Sequence, residues 1–144
     1  MAYQKILIAV DNSKLSMKAA EHGMKLSSQL GASVAVVYVI DTAKINKDAE
    51  SGSLPQHQIA KLKKEASESF NWIESQFPGC AFERFLPEGK PSQGVVDTAT
   101  EWGADLVVMG TQGKSGLKRL LVGSTAENVL RLSNIPLLVV PSKA

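Results

Sequence analysis

The residues between Val107 and Val129, VVMGTQGKSGLKRLLVGSTAENV, combine four glycines, a Gly-Lys-Ser and a Ser-Thr pair at a helix start. These are residue types that hold phosphate. A Walker A loop requires Gly, four residues, then Gly-Lys-Ser/Thr. Counting back from Gly113-Lys114-Ser115 puts Val108 where the first glycine must stand, so that loop is excluded. The dinucleotide pattern G-x-G-x-x-G also fails, because Gly110, Gly113 and Gly116 are spaced G-x-x-G-x-x-G. Gly113 and Gly116 tolerate the positive φ that curves successive N–H groups into an anion-binding nest. Gly110 follows an apolar run, where a missing side chain would let backbone approach a ligand. Ser124 and Glu127 fit the capping box S-x-x-E, and a helix N-terminus attracts phosphate. A hydroxyl carries one donor and two acceptor lone pairs, so Ser124 has capacity for both a cap and a phosphate. On spacing alone, phosphate binding and a plain turn-and-cap role both stand open.

Asp11 opens a second candidate. It follows the apolar run Ile6-Leu7-Ile8-Ala9-Val10, and Asp11-Asn12-Ser13 supplies a turn and a helix N-cap. Lys114, Lys118 and Arg119 are either counter-charges for phosphate or a solvated loop. His22, expected near the apolar face of the first helix, and His57 have no Cys, Asp or His at metal-ligand spacing. Cys80 has no histidine partner and reads as a buried strand residue; Trp72 and Trp102 read as packing residues on helices. No Ser-His-Asp order, carboxylate pair or zinc spacing can be assembled, which argues against an efficient enzyme.

The elements that must position these residues alternate strand and helix. Ile6–Val10 is an apolar run of the kind buried on both faces of a sheet. Residues 14 to 30 place Leu15, Ala19, Gly23, Leu26 and Leu30 on one helical face, closed by Gly31. A second buried strand runs from Ser33 to Ile40. From Asp41 to Pro55 the chain is polar and aperiodic, which predicts a long loop. Ile59, Leu62, Ala66, Phe70, Ile73 and Phe77 form one helical stripe ended by Pro78-Gly79. Cys80 to Leu86, with Glu83 and Arg84 inside it, predicts an edge strand. After a turn from Pro87 to Pro91 comes a helix with Val95, Val96, Ala99 and Trp102 inward. Leu106–Met109 is the fourth strand, Thr125–Ser133 a helix, and Pro136–Val140 the last strand. Five strands separated by helices predict a doubly wound parallel sheet, with Asp11 and Gly110 at the same carboxyl-end rim.

The chain has 144 residues, 44% hydrophobic and 21% charged, as in one soluble globular domain spanning 1–144. No apolar run approaches the ~20 residues of a membrane-spanning helix. MAYQKILIAV lacks the pattern of a signal peptide, and a single cysteine fits a reducing compartment, so a cytoplasmic location is expected. The net charge of +2 gives no case for nucleic acid; Lys61-Leu62-Lys63-Lys64, followed by Glu65 and Glu68, is a solvated helix face.

Gly110-x2-Gly113-x9-Gly123-Ser124 resembles G-x2-G-x9-G-(S/T), the signature of the ATP-binding branch of the universal stress proteins. The resemblance extends through KILIAVDNS, VVYVID, EGKPSQGVVDTATEWGADLVVMG and SNIPLLVVP, nearly the whole chain. It implies an adenine nucleotide alpha hydrolase-like sheet of order 3-2-1-4-5 with helices on both faces. It further implies that Ala9 and Val10 line a base pocket, that Asp11 and Val39 contact adenosine, Val39 through its backbone, and that Met109 and Gly110 lie along the nucleotide. Gly113, Gly123, Ser124 and Thr125 would hold the triphosphate of ATP, with Mg²⁺. The chain departs from the family at Gln112, where many relatives carry His or Arg, and at Thr125, valine in some. The expected function is that of an ATP-dependent stress-response signalling module, homodimeric through the last strand, with an unidentified protein partner. The rival readings are a slow ATPase or phosphotransferase, and a nucleotide-free interaction protein. The SGGxDS-type and HIGH-type loops of related enzymes are absent.

Overall fold

The computed structural model describes residues 3–48, 54–111 and 124–141. Five parallel strands form the main sheet: β1 (Lys5–Val10), β2 (Ser33–Tyr38), β4 (Glu83–Phe85), β6 (Leu106–Gly110) and β7 (Leu137–Val140). Their order is β4-β2-β1-β6-β7, the expected 3-2-1-4-5 arrangement once the five are numbered by themselves. A short pair, β3 (Ile40–Asp41) and β5 (Glu88–Gly89), forms a second parallel sheet.

β1 explains why the strands read as unbroken apolar runs. Ile6, Ile8 and Val10 pack on one face with Ala19, Ala20 and Met24 of α1 (Lys14–Leu30) and with Ala66, Phe70 and Ile73 of α3 (Pro55–Gln76). Leu7 and Ala9 point the other way. They meet Val95, Val96 and Ala99 of α4 (Pro91–Trp102) and Ala126 and Val129 of α5 (Ser124–Leu132). Successive side chains alternate across a sheet, so a central strand covered on both sides has no polar position. Each fully buried aliphatic side chain contributes about 1.5–3 kcal/mol relative to exposure.

The inward face of α1 is built from smaller residues than expected. Ser16, Ala19, Ala20, Gly23, Met24 and Ser27 are buried, whereas Leu30 and His22 are exposed. Small side chains let the helix lie directly on β1: a Cβ at Gly23 would sit 2.6 Å from Ile8 Cδ1. The Ser27 hydroxyl is satisfied by donating to the Gly23 carbonyl at 2.7 Å.

Three further expectations are corrected. The second strand stops at Tyr38; after Val39 the chain leaves the main sheet, and the Ile40 N–H donates to the Pro87 carbonyl at 2.8 Å, tying β3 to the turn before β5. The segment after Asp41 is not simply a loop, because Thr42–Asp48 forms the helix α2. Asp41 Oδ1 accepts the Ala43 N–H at 3.0 Å at its start, and Ile45 packs on the core, too little apolar patterning to register as a period. Residues 49–53 lie outside the described residues. Cys80 is exposed and precedes the short β4, its N–H closing a turn onto the Phe77 carbonyl at 3.1 Å. The edge position expected for that strand holds, and Arg84 lies over the rings of Phe70 and Phe82 while pairing with Glu74. Trp72 and Trp102 are partly buried packing residues, as expected.

Candidate functional site

From β1 the chain runs outward through β2 to the edge strand β4, then returns to place β6 on the other side of β1. The strand order therefore reverses between β1 and β6, and open α/β sheets hold ligands in the crevice at such a point, beyond the strand carboxyl ends. A cleft with a cavity volume of about 230 Å³ opens there.

Seven of the sequence-predicted site residues line it: Ala9, Val10 and Asp11 at the end of β1, Val39 after β2, Met109 and Gly110 at the end of β6, and Thr125 in the first turn of α5. Ser124 is the first residue of α5. Gly113 and Gly123 lie outside the described residues, as do Gln112, Lys114, Lys118 and Arg119. His22 and His57 are exposed and are not among the lining residues, and no group of three His, Cys, Asp or Glu among the described residues could hold a metal ion.

Two glycines shape this wall. A Cβ on Gly110 would stand 2.7 Å from Leu15 Cγ, so the missing side chain admits α1 to the end of β6 in addition to opening the rim. A Cβ on Gly94 would stand 2.7 and 2.9 Å from the two methyls of Val39. Gly94 thus lets α4 seat Val39 at the cleft.

Sequence reasoning missed the rest of the lining: Ser16, Tyr38, Asp41, Lys44, Leu62, Pro91, Val95 and Ala126. Leu62 and Val95 were legible only as helix-stripe residues, and Lys44 falls in the stretch expected to be a loop. Ser16 had a signal in the spacing D-x-S-x-x-S from Asp11.

The polar groups are held locally. Ser13 caps α1, its Oγ accepting the Ser16 N–H at 3.2 Å. Asp11 Oδ1 accepts the Ser13 N–H and the Ser16 hydroxyl, each at 2.8 Å. The Asp11 N–H donates to Ser16 Oγ at 2.7 Å. Tyr38 is buried beside this turn. Burial first, then the carboxylates of Glu65 and Asp11, pushes its phenol far above the ordinary 10.0, so it stays neutral at physiological pH.

Apolar walls from Ala9, Val10, Val39, Leu62, Val95 and Met109 suit a flat ring, and the Asp11 and Asp41 carboxylates suit hydroxyl or amine donors. Lys44 supplies a cation, and the N-terminal turn of α5 at Thr125 and Ala126 offers N–H groups to an anion. These residues fit a nucleotide. They give a divalent cation no cage of carboxylates among the described residues.

Residues 2–141 match the model of the universal stress protein family. The chain is 35% identical to the universal stress protein MJ0531 of Methanocaldococcus jannaschii over 148 residues, covering 96% of this chain and 82% of that protein. Among solved structures, MJ0577 of the same organism superimposes with a TM-score of 0.84 at 31% identity, over 100% of this chain and 99% of that one. A universal stress protein solved in complex with cAMP shares the fold, with a TM-score of 0.71 at 23% identity over 99% and 100% of the two chains. By sequence and by fold, this chain belongs to the universal stress protein family.

Proposed function

We propose that the cleft is an adenine-nucleotide site that takes ATP, with Mg²⁺, and that the protein works as a nucleotide-dependent regulatory module in a stress response. The observation that carries this reading is convergence. Positions separated by up to 117 residues, Ala9 to Ala126, meet around one cavity at the switch point of the sheet. The base would lie between the apolar walls, and Asp11 would accept from a donor on the adenosine. The triphosphate would extend toward the N-terminus of α5 and the glycines of the signature. Mg²⁺ would ride on the phosphates, since it is bound mostly through phosphates, waters and one or two carboxylates. A family relative bound to cAMP supports adenine chemistry in general terms.

Regulation would come from the difference between the nucleotide-bound and nucleotide-free surfaces, read by a protein partner. β7 lies at the outer edge of the sheet, with Leu138 exposed on it and Leu130 and Leu132 exposed on neighbouring α5. Pairing of β7 with a second copy would cover that edge, so the active form is a homodimer. A monomeric mass by light scattering at micromolar concentration would contradict the dimer.

The site itself is tested by titrating the isotope-labelled protein with Mg-ATP and following backbone amide shifts. The expected outcome is saturable change at Ala9–Asp11, Val39, Met109–Gly110 and Thr125. Absence of change there, at ATP concentrations that perturb other amides, would overturn the proposal.

A further inference from the structure

The turn leading into α1 contains a device that ordinary helix capping does not need. In a capping box the third helical residue reaches back to the N-cap N–H. Here that N–H, on Ser13, is taken by Asp11 Oδ1 at 2.8 Å, and the third helical residue, Ser16, reaches past the cap to Asp11 instead. Ser16 Oγ spends its single donor on Asp11 Oδ1 at 2.8 Å and accepts the Asp11 N–H at 2.7 Å. Both ends of Asp11, backbone and carboxylate, are therefore tied to one buried hydroxyl. Ser16 and Asp11 both line the cleft.

We infer that Ser16 is a positioning residue that fixes the Asp11 carboxylate in one orientation for a ligand's N–H or O–H donor, an inference that rests on reading the cleft as a nucleotide site. Two donors on one carboxylate oxygen hold the torsions about both side-chain bonds, Cα–Cβ and Cβ–Cγ, before the ligand arrives. A group ordered in advance loses less entropy on binding, and the affinity gained is the benefit of preorganisation. The pattern D-x-S-x-x-S carries the whole device within six residues, Asp11 to Ser16.

Two readouts separate this inference from the reading beneath it. In the nucleotide-free protein, the Hα–Hβ couplings of Asp11 report its rotamer without any ligand. They should show one rotamer in the wild type and in Ser16→Thr, and averaging in Ser16→Ala. A single Asp11 rotamer retained in Ser16→Ala would overturn the positioning role, whatever the protein binds. Calorimetry with Mg-ATP is then run on wild type, Ser16→Ala, Asp11→Ala and the double variant. Ser16→Ala should weaken binding about fivefold and cost nothing further in the Asp11→Ala background, because neighbours acting through one group are not additive. A loss of equal size in both backgrounds would overturn the inference while leaving the nucleotide site standing. No binding by the wild type would overturn the nucleotide reading, with the rotamer result still deciding what Ser16 does to Asp11.

Discussion

The two rims of the sheet are built from similar residues and treated in opposite ways. At the amino-end rim Asp105 and Lys5 are spent on the fold. Asp105 accepts the Gln4 and Lys5 amides at 2.9 and 3.0 Å, and its own N–H donates to the Lys5 carbonyl. Lys5 Nζ donates to the Trp102 carbonyl at 2.6 Å and lies 4.5 Å from the centroid of that indole, whose N–H is bound by Glu83. At the carboxyl-end rim, Asp11 Oδ1 accepts from Ser13 and Ser16, and Asp11 lines an open cleft with Asp41, Lys44 and the end of β6. Asp105, whose amide partners lie about 100 residues away at the start of β1, ties two strands together; Asp11, whose partners lie in its own turn, is held at the wall of a cavity. The difference lies in what surrounds the two aspartates rather than in the residues themselves.

Substitutions at each rim should break this contrast if it is wrong. The largest effect is expected from Asp105→Ala, which strips two amides of a charged acceptor and should cost about 2 kcal/mol in urea unfolding. Affinity for Mg-ATP should be unchanged. Asp11→Ala should do the reverse, weakening Mg-ATP by about tenfold, near 1.4 kcal/mol, with a loss of stability of about 1 kcal/mol or less. If Asp105→Ala abolished binding in a folded protein, the separation of roles would fail. Trp102→Phe keeps a ring beneath Lys5 but loses the exposed bond to Glu83 and part of the indole packing beside Phe85, so about 1 kcal/mol is expected by thermal melting. Smallest is Lys44→Ala, expected to weaken Mg-ATP about threefold at low salt, with the difference shrinking as ionic strength screens it.

A fifth expectation concerns pH. The Tyr38 phenol is raised in the folded protein, chiefly by burial, so above pH 10.0 an unfolded chain releases a proton that the folded chain keeps. The unfolded state then binds fewer protons, and stability falls as pH rises past that value. Tyr38→Phe should show a shallower alkaline fall in melting temperature than wild type. Identical slopes would mean the phenol ionises as easily inside as out.

The sheet was legible because central strands must be apolar on both faces, a pattern that β1, β2 and β6 all carry. The rim was legible as well, since Asp11 and Gly110 directly follow such runs. The missed cleft residues belong to elements whose patterning is weak. α2 has seven residues, shorter than two helical turns, so Lys44 gave no periodic signal. β3 and β5 have two residues each and exist only because Ile40 and Asp41 find Glu88 and Gly89 in three dimensions. Cys80 was expected inside because cysteine is often buried, but the strand it was assigned to shrank to Glu83–Phe85 and left it in the preceding turn. On α1, Ala19 and Gly23 hold the inward face expected of them, but Leu30 is exposed, and close packing on Ile8 is joined by further small residues, Ser16, Ala20 and Ser27.

The central claim is that this carboxyl-end cleft holds a triphosphate nucleotide. Calorimetric titration of the nucleotide-stripped protein with Mg-ATP, followed by AMP, tests it most directly. The account predicts saturable Mg-ATP binding and AMP binding weaker by about tenfold or more, the difference reporting the phosphates beyond the first. Absence of binding to both would contradict it and would favour the nucleotide-free interaction protein.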